Sequence, residues 1–159
     1  MKILLIAGGV LVSGVLFNAF TPGHAAPTRF IQEDSLIQDR LKHVNEINEM
    51  IKGRENENAE VVYKNLKYIK GFKAGLLPLI MNKWSIALGV SCGHCHEIGS
   101  WELDTKPEKE IARKMAGLSP VISDYLKTIK ELKNPNPIVN CATCHRGQLK
   151  PALEVTAGR

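Results

Sequence analysis

The amino-acid sequence predicts an all-α fold: one small domain of helices and turns with little β structure. Three observations carry that expectation. Apolar residues recur at three- and four-residue spacing in several separate stretches, the periodicity of helices that bury one face. Strand-like composition is confined to a single short run, "VVYKNLKYIKG" at 61–71. All four cysteines fall in two pentapeptides of one pattern, "CGHCH" at 92–96 and "CATCH" at 141–145, each lying beyond a helix-ending signal.

The N-terminus is read separately. Lys2 gives a positive start, Ile3 to Phe20 is almost uninterruptedly apolar, and "TPGHAAP" closes the run, which is the pattern of a secretory signal peptide. Gly23 and Ala25 satisfy the small-x-small rule, so residues 1–25 are expected to be removed and the chain to begin at Ala26. The alternative is an uncleaved membrane anchor, because the run reaches the roughly 18 residues at which a spanning helix becomes feasible. No cysteine lies near the cut, which argues against a lipid-modified N-terminus. Export directs the chain to the periplasm, and residues 26–159 suit one domain.

Taken in order, residues 35–52 read as an amphipathic helix with Ile37, Leu41, Val44 and Ile51 on its apolar stripe. Ser35 and Gln38 have capping-box spacing, and Gly53 is a stop signal. "GRENENAE" (53–60) is a polar connector, and 61–71 reads as extended. A second helix is expected over about 76–88, with Pro78 in its first turn and Gly89 ending it. Leu77, Met81, Trp84 and Leu88 share one stripe. Thr105-Lys106-Pro107-Glu108 reads as a capping box opening a third helix that stops at Gly117. Ser119-Pro120 opens a fourth, running to about Lys133, and "NPNP" (134–137) breaks it. The tail after 145 reads as irregular.

The repeated pentapeptide points to covalent c-type haem. Haem carries two vinyl groups on adjacent edges of a flat ring, and thiols separated by two residues can reach both as thioethers. The histidine that follows is turned toward the iron. Cys-x-x-Cys-His is the signature of this attachment, so Cys92, Cys95, Cys141 and Cys144 are the expected attachment residues. His96 and His145 are the expected proximal ligands, and the repeat implies two haems. Attachment occurs outside the cytoplasm, in agreement with the export signal. A four-cysteine zinc site is one rival, but residues 96–140 separate the pairs, well beyond the usual gap of about 15–20 residues. A thioredoxin-like redox pair is another, and the βαβ pattern that would support it is missing. Structural disulfides would explain the even cysteine count but not the repeated histidine.

The second axial position decides whether each iron is open to small molecules or closed for electron transfer. The candidates are Met50, Met81, Met115 and His43. Met81 lies on the helix that ends just before the first attachment loop. Met115 lies between the two sites beside Ala116 and Gly117, where small residues permit close approach. Met50 reads as packing, His43 as solvent-facing and His94 as a surface imidazole. Arg146, directly after the second proximal histidine, is a candidate haem-propionate contact, and Trp84 and Trp101 are candidate haem walls. Aromatic residues make up only 6% of the chain, so the porphyrins must supply much of the apolar interior.

The stretch "VVYKNLKYIKG…LIMNKW…LGVSCGHCHEIGSWELDTKPEKEIARKM…VNCATCHRGQ" resembles the haem-binding repeat of the photosynthetic reaction-centre cytochrome c subunit, over roughly residues 60–150. The resemblance implies that each Met-bound haem takes its methionine from a helix upstream of its Cys-x-x-Cys-His, pairing Met81 with His96 and Met115 with His145. The photosynthetic members carry four haems, one with a distal histidine from the stretch after the second methionine. Residues 116–140 of this chain contain no histidine, and the chain is like half of that subunit.

These readings converge on a dihaem c-type cytochrome passing single electrons between extracytoplasmic or membrane-associated redox partners. A quinol-oxidising complex, a terminal oxidase or a reaction centre would be such a partner. The alternatives are a small dihaem peroxidase and a haem-wiring subunit of a larger assembly. The net charge of +5 could indicate nucleic acid, but export and singly scattered lysines argue against it. Haem propionates would cancel most of that charge.

Overall fold

The structure, a computed structural model, describes residues 29–154, with side chains from Ser35 onward. The predicted signal peptide lies outside the described residues. The described chain forms helices α1 (Arg29–Met50), α2 (Ala59–Val62), α3 (Leu77–Leu88), α4 (Pro107–Lys127) and α5 (Cys141–His145), with 3-10 turns at Ala74–Leu76 and Cys92–His94. Among the described residues pairing is limited to isolated bridges, Asn58 with Lys73 and Glu97 with Ser100. The all-α expectation holds.

Several expectations about individual elements are corrected. Helix α1 begins before Ser35, which is therefore interior and not an N-cap. Its stripe is rotated: Ile37 and Leu41 are exposed while Arg40 and His43 are buried, and Ile51, just past the helix, is buried as expected. Val61 and Val62 belong to a short helix, because Ala59 is fully buried and its N–H is held by the Phe72 carbonyl at 2.8 Å. The predicted third and fourth helices are one, α4, running through Gly117 and Pro120. An interior proline costs about 3 kcal/mol. Tertiary contacts on either side of it oppose that cost, since Ser119 Oγ donates to the Val139 carbonyl and Ser123 Oγ accepts from Val139 N–H at 3.0 Å. Gly117 is a packing residue and not a stop, for a Cβ there would sit 2.7 Å from the Tyr68 hydroxyl. The box predicted at Thr105 is absent, as its hydroxyl donates to Glu97 Oε1 at 3.1 Å.

Helix α3 is the centre of the packing, lying against both α1 and α5, and α1 also touches the Cys92–His94 turn. The α3–α5 contact is close at one point. Gly89 caps α3 in the left-handed region (φ 66°), as its place after Leu88 predicts, and Gly147 N–H donates to the Ala87 carbonyl at 2.8 Å. A Cβ on Gly89 would lie 2.0 Å from the Gly147 carbonyl oxygen. Gly89→Ala is therefore expected to lose more than the about 1–2 kcal/mol of left-handed strain, because a backbone atom must also move. Gly53→Ala is the control, with φ 82° and open space at its Cβ, and should suffer the strain alone. Thermal unfolding of the two variants makes the comparison.

The apolar core is small. Among the described residues eight apolar side chains are buried, Pro78 included, and four of them are alanines: Ala59, Ala74, Ala87 and Ala116. Meanwhile Ile111, Met115, Leu118, Ile122 and Tyr125 recur at helical spacing along α4 and are all exposed. An apolar stripe of this kind calls for a cover the protein side chains do not provide.

Candidate functional site

The first pentapeptide is positioned by its neighbours on both sides. Ser85 Oγ donates to the Val90 carbonyl at 2.5 Å, turning the chain as it leaves α3. Asp39 of α1 accepts the Cys92 N–H at 3.1 Å. The loop then closes on itself, with Cys95 and His96 N–H groups on the Cys92 carbonyl at 3.3 and 3.2 Å. His96 Nδ1 lies 3.2 Å from the Trp101 carbonyl oxygen. A carbonyl only accepts, so Nδ1 carries the hydrogen and Nε2 keeps its lone pair. Trp101 stands edge-on between two imidazoles, with ring centroids 5.5 Å from both His43 and His96.

Cys92, Cys95, His96, Met81, Trp84 and Trp101 open onto one predominantly apolar cavity of about 350 Å³ between α1, α3 and α4. Two free thiols, an imidazole with an available nitrogen and a thioether thus share one space. The donor set and the apolar walls fit a covalently attached haem. Asn82, in the same wall, has a buried Oδ1 without a partner, a polar atom left for a ligand to meet.

The second pentapeptide is the helix α5 itself. Asn140 caps it in a box the sequence reading missed: Asn140 Oδ1 accepts from Ala142 N–H at 3.0 Å, and Thr143 Oγ1 accepts from Asn140 N–H at 3.1 Å. On a helix Cys141, Cys144 and His145 stand at i, i+3 and i+4, hence on one face. His145 Nδ1 lies 3.1 Å from the Gln148 carbonyl oxygen, the same tethering as at His96. Arg146 takes the left-handed conformation (φ 49°) at the end of α5 and is exposed. Met115 is 46% exposed and belongs to the uncovered stripe of α4. Ser119 and Ser123, four and eight residues beyond it, share its helix face and clasp Val139 just before α5.

The electrostatics bear on the rivals. Burial pushes the Cys92 thiol up to about 11, with Asp39 adding to the effect, and burial also raises Cys95 and Cys141. Reactive dithiols need the opposite shift, so the redox-pair reading finds no support. Among the described residues no three His, Cys, Asp or Glu side chains converge as a metal-ion cluster, so the four-cysteine zinc reading finds no support. Burial, followed by the Lys109 charge, holds His96 below its ordinary value, which favours the neutral imidazole.

Two expectations about the first helix are overturned. His43 is buried, not solvent-facing, with Nδ1 2.7 Å from Glu46 Oε2 and Nε2 3.5 Å from Asp39 Oδ1. Met50 is 61% exposed at the cavity rim and is not core packing. The sequence reading also missed Asp39 and two lysines. Lys106 Nζ donates to the Gly93 carbonyl and, at 3.0 Å, to that of His96. Lys109 Nζ donates to the Trp101 and Leu103 carbonyls at 2.8 and 2.7 Å. The one sequence signal for these lysines was their place in the first turn of α4, beside the first attachment loop.

Over residues 23–156 the chain matches the family described as the photosynthetic reaction centre cytochrome C subunit. The match takes in α1 as well as the stretch from 60 onward. No curated protein is similar enough to match the chain.

Proposed function

Because the chain belongs to the photosynthetic reaction centre cytochrome C subunit family, a family of electron-transfer proteins with covalently bound c-type haem, we propose that it is a dihaem electron carrier. Cys92 and Cys95 would hold one haem, with His96 and Met81 as the residues offered to its iron. Cys141 and Cys144 would hold the other, with His145 and Met115 in the same roles. When bound, the group supplies reversible one-electron chemistry at iron. The observation that carries this reading is the paired tethering of His96 and His145. Each Nδ1 is committed to a backbone carbonyl, beside two free thiols at the attachment spacing.

The residues around each site then have defined work. The carbonyls of Trp101 and Gln148 fix the tautomer and ring orientation of the two histidines. Met81 and Met115 would complete the ligand sets of the two irons and leave no position for a substrate. Trp84 and Trp101 exclude water from the first site, and Arg146 offers a cation to a propionate of the second. Methionine ligation favours high potential, which suits transfer from a quinol-oxidising complex to a terminal oxidase or a reaction centre. The carrier works in the periplasm, after removal of residues 1–25 or held by them.

Reductive titration of the purified protein tests the carrier reading against the peroxidase one. The carrier is expected to take up two electrons per chain and to leave both oxidised irons unreactive toward cyanide. Rapid cyanide binding, or sustained turnover of peroxide, would show an open iron and favour the enzyme.

A further inference from the structure

We propose that Lys109 is a positioning residue that raises the potential of the haem at His96 above that of the haem at His145, so that a single electron in the half-reduced protein resides at the first site. The inference rests on the two-haem reading above.

The Trp101 carbonyl oxygen has two donors. One is His96 Nδ1 at 3.2 Å and the other is Lys109 Nζ at 2.8 Å. A hydrogen bond from a ligating histidine to an acceptor makes the imidazole a stronger donor to its metal. A cation on the same oxygen draws its electron density away and weakens that effect, so ferrous iron is relatively favoured. The ammonium charge works in the same direction through space, since ferrous haem carries one positive charge fewer. Lys109 is placed to do both. It is 7% exposed, where charge is poorly screened. Its three N–H groups are taken up by the Trp101 carbonyl, the Leu103 carbonyl and Asp104 Oδ1 at 3.1 Å, so it is fixed rather than free to reach a propionate.

Asp104 does not cancel this charge. It also receives Lys67 at 2.6 Å and Arg113 at 2.9 Å, so one carboxylate faces three cations. Those bonds, Lys67 first, hold Asp104 far below the usual carboxylate range. Arg113 also donates to Glu110 at 3.2 Å. The second site lacks such an arrangement among the described residues: His145 and its partner carbonyl at Gln148 are joined at 3.1 Å with no lysine or arginine donating to that oxygen. Two attachment sequences of one pattern are thereby made unequal by their surroundings.

Redox titration of the holoprotein, followed optically and by electron paramagnetic resonance, decides the matter. Lys109→Met removes the charge and the donor while keeping the side-chain stem. Asp104→Asn leaves Lys109 in place and removes its counter-charge. The wave that Met81→His shifts identifies the haem at His96. Lys109→Met is expected to lower that wave, moving the electron partition about tenfold toward the second site, or about 59 mV for a one-electron couple. Asp104→Asn should raise the same wave, Lys109→Arg should restore most of the original value, and the other wave should stay in place in all three. A purely structural role would not give opposite shifts from the two partners. If Lys109→Met fails to take up haem, a raised first wave in Asp104→Asn carries the proposal and an unmoved one overturns it. Both haems attached with the first wave unmoved, or both waves moved equally, overturns the tuning and leaves the carrier reading intact. A wild-type protein without two haems overturns the carrier reading and the tuning with it.

Discussion

Produced without haem attachment, the chain is expected to show no cooperative unfolding transition. Replacing Cys92, Cys95, Cys141 and Cys144 together by serine should have the same effect. The reason is the poverty of the protein's own interior. Half of the buried apolar side chains of the described residues are alanines, which contribute little area, and at about 25 cal/mol per Å² of apolar surface so few groups cannot offset the ordering of the chain. The larger apolar side chains are aimed elsewhere. Met81, Trp84 and Leu88 line the first cavity, while Met115, Leu118 and Ile122 form an uncovered stripe on α4. A flat apolar group between α4 and α5 would cover that stripe, and another would fill the cavity. Circular dichroism and thermal melting of the holoprotein and the serine variant make the test. A sharp transition in the haem-free chain would show that the polypeptide holds its fold unaided.

The second large effect is expected at the methionines. Met81→Ala should open the iron at His96 alone, letting it bind cyanide or carbon monoxide, and should remove its methionine–ferric charge-transfer band. Met115→Ala should do the same only at His145. Met81→Ala should also lose stability, toward the lower end of the about 2–5 kcal/mol range of Met→Ala at buried sites, because Met81 lines the cavity, while the exposed Met115 should cost less. Thioether sulfur favours ferrous iron, so Met81→His should close the first site again at a lower potential. An intact charge-transfer band in the Met81 variant would refute its assignment. His43→Ala is the informative control. His43 packs on Trp101 from α1 and its ring nitrogens face Asp39 and Glu46, so its loss should lower stability and leave both haems six-coordinate.

The parts of this site that were legible in the sequence are those fixed by local spacing. Cys-x-x-Cys-His needs no tertiary information, and the position of Met81 on the wall of the first cavity follows from the stripe of α3 and its stop at Gly89 beside the first loop. The parts that were hidden depend on contacts between distant segments. Ile37 and Leu41 look like the buried face of α1, yet Arg40 and His43 occupy it. Arg40 reaches the Val90 carbonyl at 3.4 Å, Asp39 holds the Cys92 N–H, and Trp101 packs on His43. Such contacts reward polar side chains at positions where periodicity expects apolar ones. Gly117 and Pro120 read as helix breakers because their local cost is real. The helix continues because Tyr68 needs the space at Gly117 and because Ser119 and Ser123 bind Val139. Nothing in the local sequence marks Lys106 and Lys109 as donors to the loop, and only the fold brings loop carbonyls to them.

The claim of two covalent haems is tested most directly by the intact mass of the purified protein under denaturing conditions. The account predicts a mass above that of the chain by two haems, with the colour retained after acid-acetone extraction. A mass increased by one haem, or by none, would contradict it.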